Sequence, residues 1–312
     1  MNKLFRNHFG EKALICMGFF FLSYVGAIGQ NQAYADSLEI VHSEGTFQES
    51  AHMEILNELI TVSTDPDKVI LFCNELIHRA EESGVKQYAF RGYVAKGQAL
   101  RLKGELPLSL ENHYKANEIA REMDDPTNIG ISELNIADVF QVMGNFDSAK
   151  EYYESAIRRL RAENDSLNVA SGLINLGDAY NLMNKPDSAL IFLQEGETLM
   201  KSLQDDLGIA YSQGNIEISY ALKGRNQEAE DYMNSAVAIL TQLGDSYGIS
   251  AYLNYISDVY LDQGNYNNAL SFAMQSVDIA QEFGLKEQLS EGNLKIAEIY
   301  EAMGDTIATY KY

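Results

Sequence analysis

Five histidines, His8, His42, His52, His78 and His113, are the side chains best suited to acid–base or metal chemistry in this chain of 312 residues. They show neither the paired spacing of a helical zinc site nor cysteine partners, so ordinary helix-surface or packing roles are expected for them. Gly92-Tyr-Val-Ala-Lys-Gly97 carries the glycine spacing of a phosphate-binding loop. It continues as Gln98-Ala99 where Lys followed by Ser or Thr is required, and it lies in a helical pattern, so nucleotide binding is not expected there. Carboxylates are abundant, yet no pocket or strained turn is legible around any pair. No metal, cofactor or catalytic residue is assigned, and the chain is read as not an enzyme. Two other polar sets recur at fixed intervals: Asn135, Asn175 and Asn215 stand 40 residues apart, and Asp138, Asp178 and Asp258, with Glu298, share a second register about one helical turn later.

Composition limits what these residues can meet. Lys and Arg total 23 against 45 Asp and Glu, a formal charge of -22. Such a surface repels phosphate backbones and anionic lipid, which are bound through clustered Lys and Arg, so nucleic acid is not expected as a partner. A basic peptide, a basic protein face or a cation stays open, as does acidity that serves solubility alone. Cys73 sits in the amphipathic segment Val69-Ile-Leu-Phe-Cys-Asn-Glu-Leu-Ile77 and is expected to pack as a small hydrophobe.

The amino terminus reads as an export signal over residues 1–29. A basic opening, Met-Asn-Lys-Leu-Phe-Arg, leads into an apolar stretch from Ala13 to Ile28 that contains Cys16, followed by small residues. Cleavage is expected before Gln30, with a second possible cut at Ala33-Tyr34-Ala35 before Asp36. The apolar stretch is shorter than the roughly 20 residues that span a bilayer comfortably, so an uncleaved membrane anchor is the alternative. The mature chain is then periplasmic or extracellular and holds one thiol and no internal disulfide. Residues 30–48 read as a polar lead-in without strong periodicity.

The elements that position the polar registers follow from a repeat. Gly104, Gly144, Asn184, Gly224, Gly264 and Gly304 are spaced by 40. Four residues earlier stand Leu100, Phe140, Tyr180, Tyr220, Tyr260 and Tyr300, and five residues later Ser109, Ala149, Ala189, Ala229, Ala269 and Thr309. Small residues recur again at Ala116, Ala156, Gly196, Ala236 and Ser276. A large residue one turn before a tight turn, then small residues at two heights of the next helix, describes two closely packed antiparallel helices with the aromatic filling the crevice. Asp125, Asp165, Asp205 and Asp245 are expected to turn or cap between repeats. Thr64-Asp65-Pro66-Asp67-Lys68-Val69 opens an earlier second helix one period upstream.

Leu173-Ile-Asn-Leu-Gly-Asp-Ala-Tyr180 with Asn184-Lys-Pro-Asp-Ser-Ala189 resembles the tetratricopeptide repeat, whose Leu-Gly-x-x-Tyr falls on Leu176, Gly177 and Tyr180. The helix-packing glycine is kept at Gly97 and becomes Ala137, Glu217, Ser257 and Ala297, and the family's tryptophan is absent. A period of 40 against the family's usual 34 predicts longer second helices or longer loops between repeats. The resemblance covers residues 49–312 and implies an all-α, right-handed superhelical solenoid of antiparallel helix pairs, about six repeats plus a partial last one.

It also implies that the first helix of each pair lines a concave groove. Gln98, Arg101, Asn135, Asp138, Gln141, Asn175, Asp178, Asn181, Asn215, Asp258 and Glu298 are the groove candidates. An asparagine ladder there can satisfy the backbone of an extended peptide, or it can pack neighbouring repeats; both readings stand. The expected partner is a protein or an extended, neutral to basic peptide. Two functions fit: a non-enzymatic exported binding scaffold, or the sensor or regulatory region of a signalling protein (histidine kinase, nucleotide cyclase or transcriptional regulator) whose output domain lies beyond Tyr312. The polar capping helix that closes such stacks is not legible after Gly304.

Overall fold

The computed structural model describes residues 28–45 and 48–305. Within them the chain forms fourteen α-helices and no strand. These are α1 (Ile28–Glu44), α2 (Glu49–Val62), α3 (Pro66–Ser83), α4 (Lys86–Leu102), α5 (Leu106–Glu122), α6 (Pro126–Val142), α7 (Phe146–Ala162), α8 (Ser166–Leu182), α9 (Pro186–Leu203), α10 (Asp206–Leu222), α11 (Asn226–Leu243), α12 (Ser246–Asp262), α13 (Tyr266–Phe283) and α14 (Lys286–Met303). The export segment with His8 and Cys16, and the end of the chain with Thr309, lie outside the described residues.

Chemistry at the helix ends sets these lengths. Twelve residues spaced by 20, from Gly84 to Gly304, have φ between 52° and 76°, and each follows a helix. Eight are glycine; Asp124, Asn164, Asn184 and Gln204 hold the other places. In the predicted 40-residue series the next N–H bonds back to the carbonyl of the large residue, as from Asn145 to Phe140, Lys185 to Tyr180 and Asn265 to Tyr260, at 2.8–2.9 Å. This closure satisfies carbonyls the helix end leaves open. The following helices are then started by side chains: Asp125, Asp165, Asp205 and Asp245 each accept an N–H three residues on, at 2.7–3.1 Å, as expected of caps. Asp65 accepts from Asp67 N at the start of α3, where the upstream second helix was predicted.

The sequence reading placed the extra length of the repeat in second helices or loops. Instead both helices of each pair from α4 onward have 17 or 18 residues and are joined by links of two or three, because tight left-handed closures recur every half-period. The polar lead-in holds α1, which packs through Ala35, 1% exposed, and the half-buried Leu38.

The chain divides into two compact units, with the boundary after Asn175 inside α8. In the first unit, Met53, Leu56, Leu59, Phe72, Cys73 and Leu76 form the core of α2 and α3, and Phe90, Ala116, Ala120 and Ile129 extend the packing through α4–α6. Cys73 is fully buried, and burial pushes its thiol up to about 12, so it packs and does not react. Ser109, Ala116, Ala149 and Ala156 are fully buried at the small-residue positions.

In the second unit Ala189, Ala229 and Ala269 are fully buried, and Gly196, Ala236 and Ser276 are buried at the second height. A Cβ on Gly177 would stand 2.5 Å from Leu193 and 3.2 Å from the Ala189 carbonyl oxygen. Only glycine lets α8 approach α9 this closely. The large register residues do more than fill crevices: Tyr180 stacks on Phe192, Tyr220 on Tyr232 and Tyr260 on Phe272, with centroids 5.4–5.6 Å apart. Phe140 and Tyr152 do the same in the first unit at 5.7 Å. Tyr260 is buried, whereas Phe140, Tyr180 and Tyr220 are half-buried. Among the described residues no helix is long and apolar enough to cross a membrane.

Candidate functional site

In the first unit the predicted groove residues are brought together by α4, α6, α7 and α8. Gln98 Nε2 donates to Asn135 Oδ1 at 2.9 Å, while Asn135 Nδ2 donates to the Ile131 carbonyl. Asp138 accepts from Tyr153 Oη at 2.6 Å and from Asn175 Nδ2 at 3.1 Å, and Gln141 Oε1 accepts from the same tyrosine at 3.0 Å. Burial raises the Asp138 pKa, with Arg101, Tyr153 and Asn175 opposing that shift. Arg101 is itself buried. Each asparagine here is therefore engaged within the stack.

In the second unit Asn181 Nδ2 donates to the Asn215 carbonyl at 2.9 Å, and its Oδ1 accepts from Ser219 Oγ at 2.7 Å. Asn215 Nδ2 returns to the Tyr211 carbonyl. Asp178 is buried. Asp258, 2% exposed, pairs with the buried Lys295 at 3.1 Å, and Lys295 reaches Glu298 at 3.4 Å. Burial pulls the Lys295 pKa down, but the two carboxylates outweigh it and the net shift is upward.

A cavity of about 530 Å³ opens beside these groups in the second unit. Its walls come from the carboxyl ends of α8, α10 and α12: Leu182 and Met183, then Ile218 and Leu222, then Tyr255 and Val259. Asn181, Asp258, Asp262 and Gln263 supply its polar edge. Thus Asn181 and Asp258 of the predicted groove line the cavity. The apolar residues were missed, although Leu182 and Leu222 stand two before the turn residues Asn184 and Gly224 and share one register.

The histidines divide. His78 is exposed beside Glu82, and His113 is a packing residue, 1% exposed, against Gly97. His42 and His52 are brought by α1, α2 and α3 to one carboxylate, Glu75. Ten residues that include a break between helices separate the two, so no helical spacing could reveal the cluster.

The family model for the tetratricopeptide repeat matches residues 128–202 and 205–282, over the same helices whose pairing and closures are described above. These two segments belong to the tetratricopeptide-repeat family. Solved tetratricopeptide-type structures with the same fold include the apo form of RapI (15% identity, 86% of this chain and 99% of that one, TM-score 0.69). NprR in complex with its cognate peptide NprX matches at 14% identity over 100% of this chain and 88% of that one, with a TM-score of 0.63. A Signal Transduction ATPase with Numerous Domains from Pyrococcus horikoshii, with a tetratricopeptide repeat sensor, matches at 16% identity over 85% of this chain and 42% of that one, TM-score 0.61. At these identities the likeness is one of fold. No curated protein matches the sequence.

Proposed function

We propose that this tetratricopeptide-repeat chain is a non-enzymatic, exported scaffold that binds an extended, neutral to basic peptide segment. The cavity at the ends of α8, α10 and α12 carries this reading. Its volume falls in the range of ligand-binding pockets, and Leu182, Met183, Leu222 and Val259 offer apolar side chains an apolar wall. Asp262, exposed at the edge, favours a flanking Lys or Arg over an acid. NprR, of the same fold, is described in complex with a peptide, which supports the class of ligand.

Selection from a displayed library of random linear 12-residue peptides tests the proposal. The expected binders carry an apolar anchor beside basic residues and weaken with added salt. Val259→Trp, which fills the cavity from a half-buried position, should lower their affinity at least tenfold with little change in thermal melting. Equal affinity in that folded variant would place the contact elsewhere. Intact-mass measurement of the exported protein tests secretion separately, with loss of the first 29 or 35 residues expected.

A second reading, a sensor region feeding an output domain, is favoured by the Signal Transduction ATPase, in which repeats of this fold are described as a sensor. An in-frame output domain encoded after Tyr312 would support it, and an immediate stop codon would reject it.

A further inference from the structure

We propose that His42, His52 and Glu75 form a binding site for a divalent transition-metal ion, zinc being the reference case, which pins α1 to the first helix pair. The ligand atoms come from three successive helices. His42 Nε2 lies 3.1 Å from Glu75 Oε2 and His52 Nε2 lies 3.2 Å from Glu75 Oε1, and the three ligand atoms all fall within 4.8 Å of one another. A tetrahedral ion with bonds of about 2.0–2.1 Å holds its ligand atoms roughly 3.3 Å apart, so the cluster needs only small adjustments to close on one. Two imidazoles and one carboxylate suit zinc and its neighbours, and leave a fourth position for water.

The surroundings are those of a held site. The His42 ring meets His52 edge-on at 5.1 Å and Phe72 at 5.7 Å, which fixes its plane. His52 is buried and His42 and Glu75 are half-buried, so an ion can enter from solvent on one side. Arg79 donates twice to Glu75 Oε1, at 2.9–3.0 Å, and also to both oxygens of Glu49 at 3.0 Å. Oε2 is thus the oxygen turned toward His42, and Arg79 keeps a carboxylate partner when Glu75 turns to the ion. Such an outer contact orients a ligating carboxylate.

The consequence falls on α1. This helix is polar and attaches through Ala35 and Leu38, with Lys68 of α3 bridging to Glu39 at 2.7 Å. An ion held jointly by α1, α2 and α3 adds a cross-link between the lead-in and the repeats, and its binding energy becomes stability.

Zinc chloride titrated calorimetrically into the untagged, chelator-stripped full chain tests this. One equivalent should bind, raise the melting temperature, and slow hydrogen exchange across 34–44 while leaving 286–303 unchanged. Cobalt(II) should give the visible absorption of a four-coordinate ion. His42→Ala, at a half-exposed position that leaves the helix cores intact, should weaken zinc at least tenfold, as should Glu75→Gln. His78→Ala, on the exposed face of α3, should leave it unchanged. Absence of stoichiometric zinc binding would overturn the proposal, as would undiminished affinity in folded His42→Ala or a loss in His78→Ala equal to that in His42→Ala.

Discussion

His113 and Glu217 carry titratable groups into close helix contacts, and their effects on stability have opposite signs. A Cβ on Gly97 would lie 2.5 Å from the His113 ring, so the imidazole occupies the space that glycine leaves open. Burial, assisted by Arg101, lowers its pKa to about 3. The unfolded chain, titrating near 6.5, takes the proton first, so stability is fully present above that pH and declines as pH falls from about 6.5 toward 3. His113→Phe should therefore flatten the fall in urea midpoint between pH 6.5 and 4 relative to the parent chain. Glu217 stands at the register of the helix-packing glycine, and burial raises its pKa well above the ordinary carboxylate value. Here the folded state holds the proton more tightly, so stability is lost as pH rises through the folded value. Glu217→Gln should stabilise the chain at pH 8 by about 1–3 kcal/mol, and urea melts should show the gain shrinking toward pH 4.5. The register that put Glu217 between helices was legible in the sequence. Its environment was not, because periodicity marks a buried face without showing which side chains leave room for a proton or a ring.

At the scale of the helix, the caps were the most legible feature and the closures the least. The four Asp caps follow from spacing, since a short carboxylate before a helix has one evident use. Asp205→Ala, which removes the acceptor for Gly208 N, should cost about 1 kcal/mol, read from the urea midpoint. The other half of the closure series was harder to see because Asp124, Asn164 and Gln204 interrupt Gly84, Gly244 and Gly284, so glycine marks only three of its six places. Gln204 sits at φ 56° and ψ 35°. Gln204→Gly should accordingly stabilise by about 1 kcal/mol, visible as a higher melting temperature with unchanged helical content. The missed half-period also explains why the extra length was sought in second helices or loops and not in both helices of each pair.

For the molecule as a whole, the all-α stack of helix pairs was readable because one pattern recurs six times, and a repeat reinforces its own detection. The surfaces were less readable. Polar ladders were visible as spacing, but whether a carboxamide faces a ligand or a neighbouring helix depends on partners such as Tyr153 and Ser219 that lie outside the ladder. The cavity depends on apolar residues that look like any other core. The packing itself is testable: Ala189→Trp overfills a site with no exposed surface and should destabilise by about 1–3 kcal/mol or more, with an unchanged urea midpoint showing the register to be wrong.

The even rhythm of the closures has an evolutionary corollary. Excising residues 206–245 would join Asp205 to Ser246, reproducing the Asp245–Ser246 junction that already starts α12. A cut of half that size would instead present a second-helix face where a first-helix face belongs. Insertions and deletions in this lineage should therefore be quantised in whole 40-residue modules, and length variants that break the quantum should be confined to the termini.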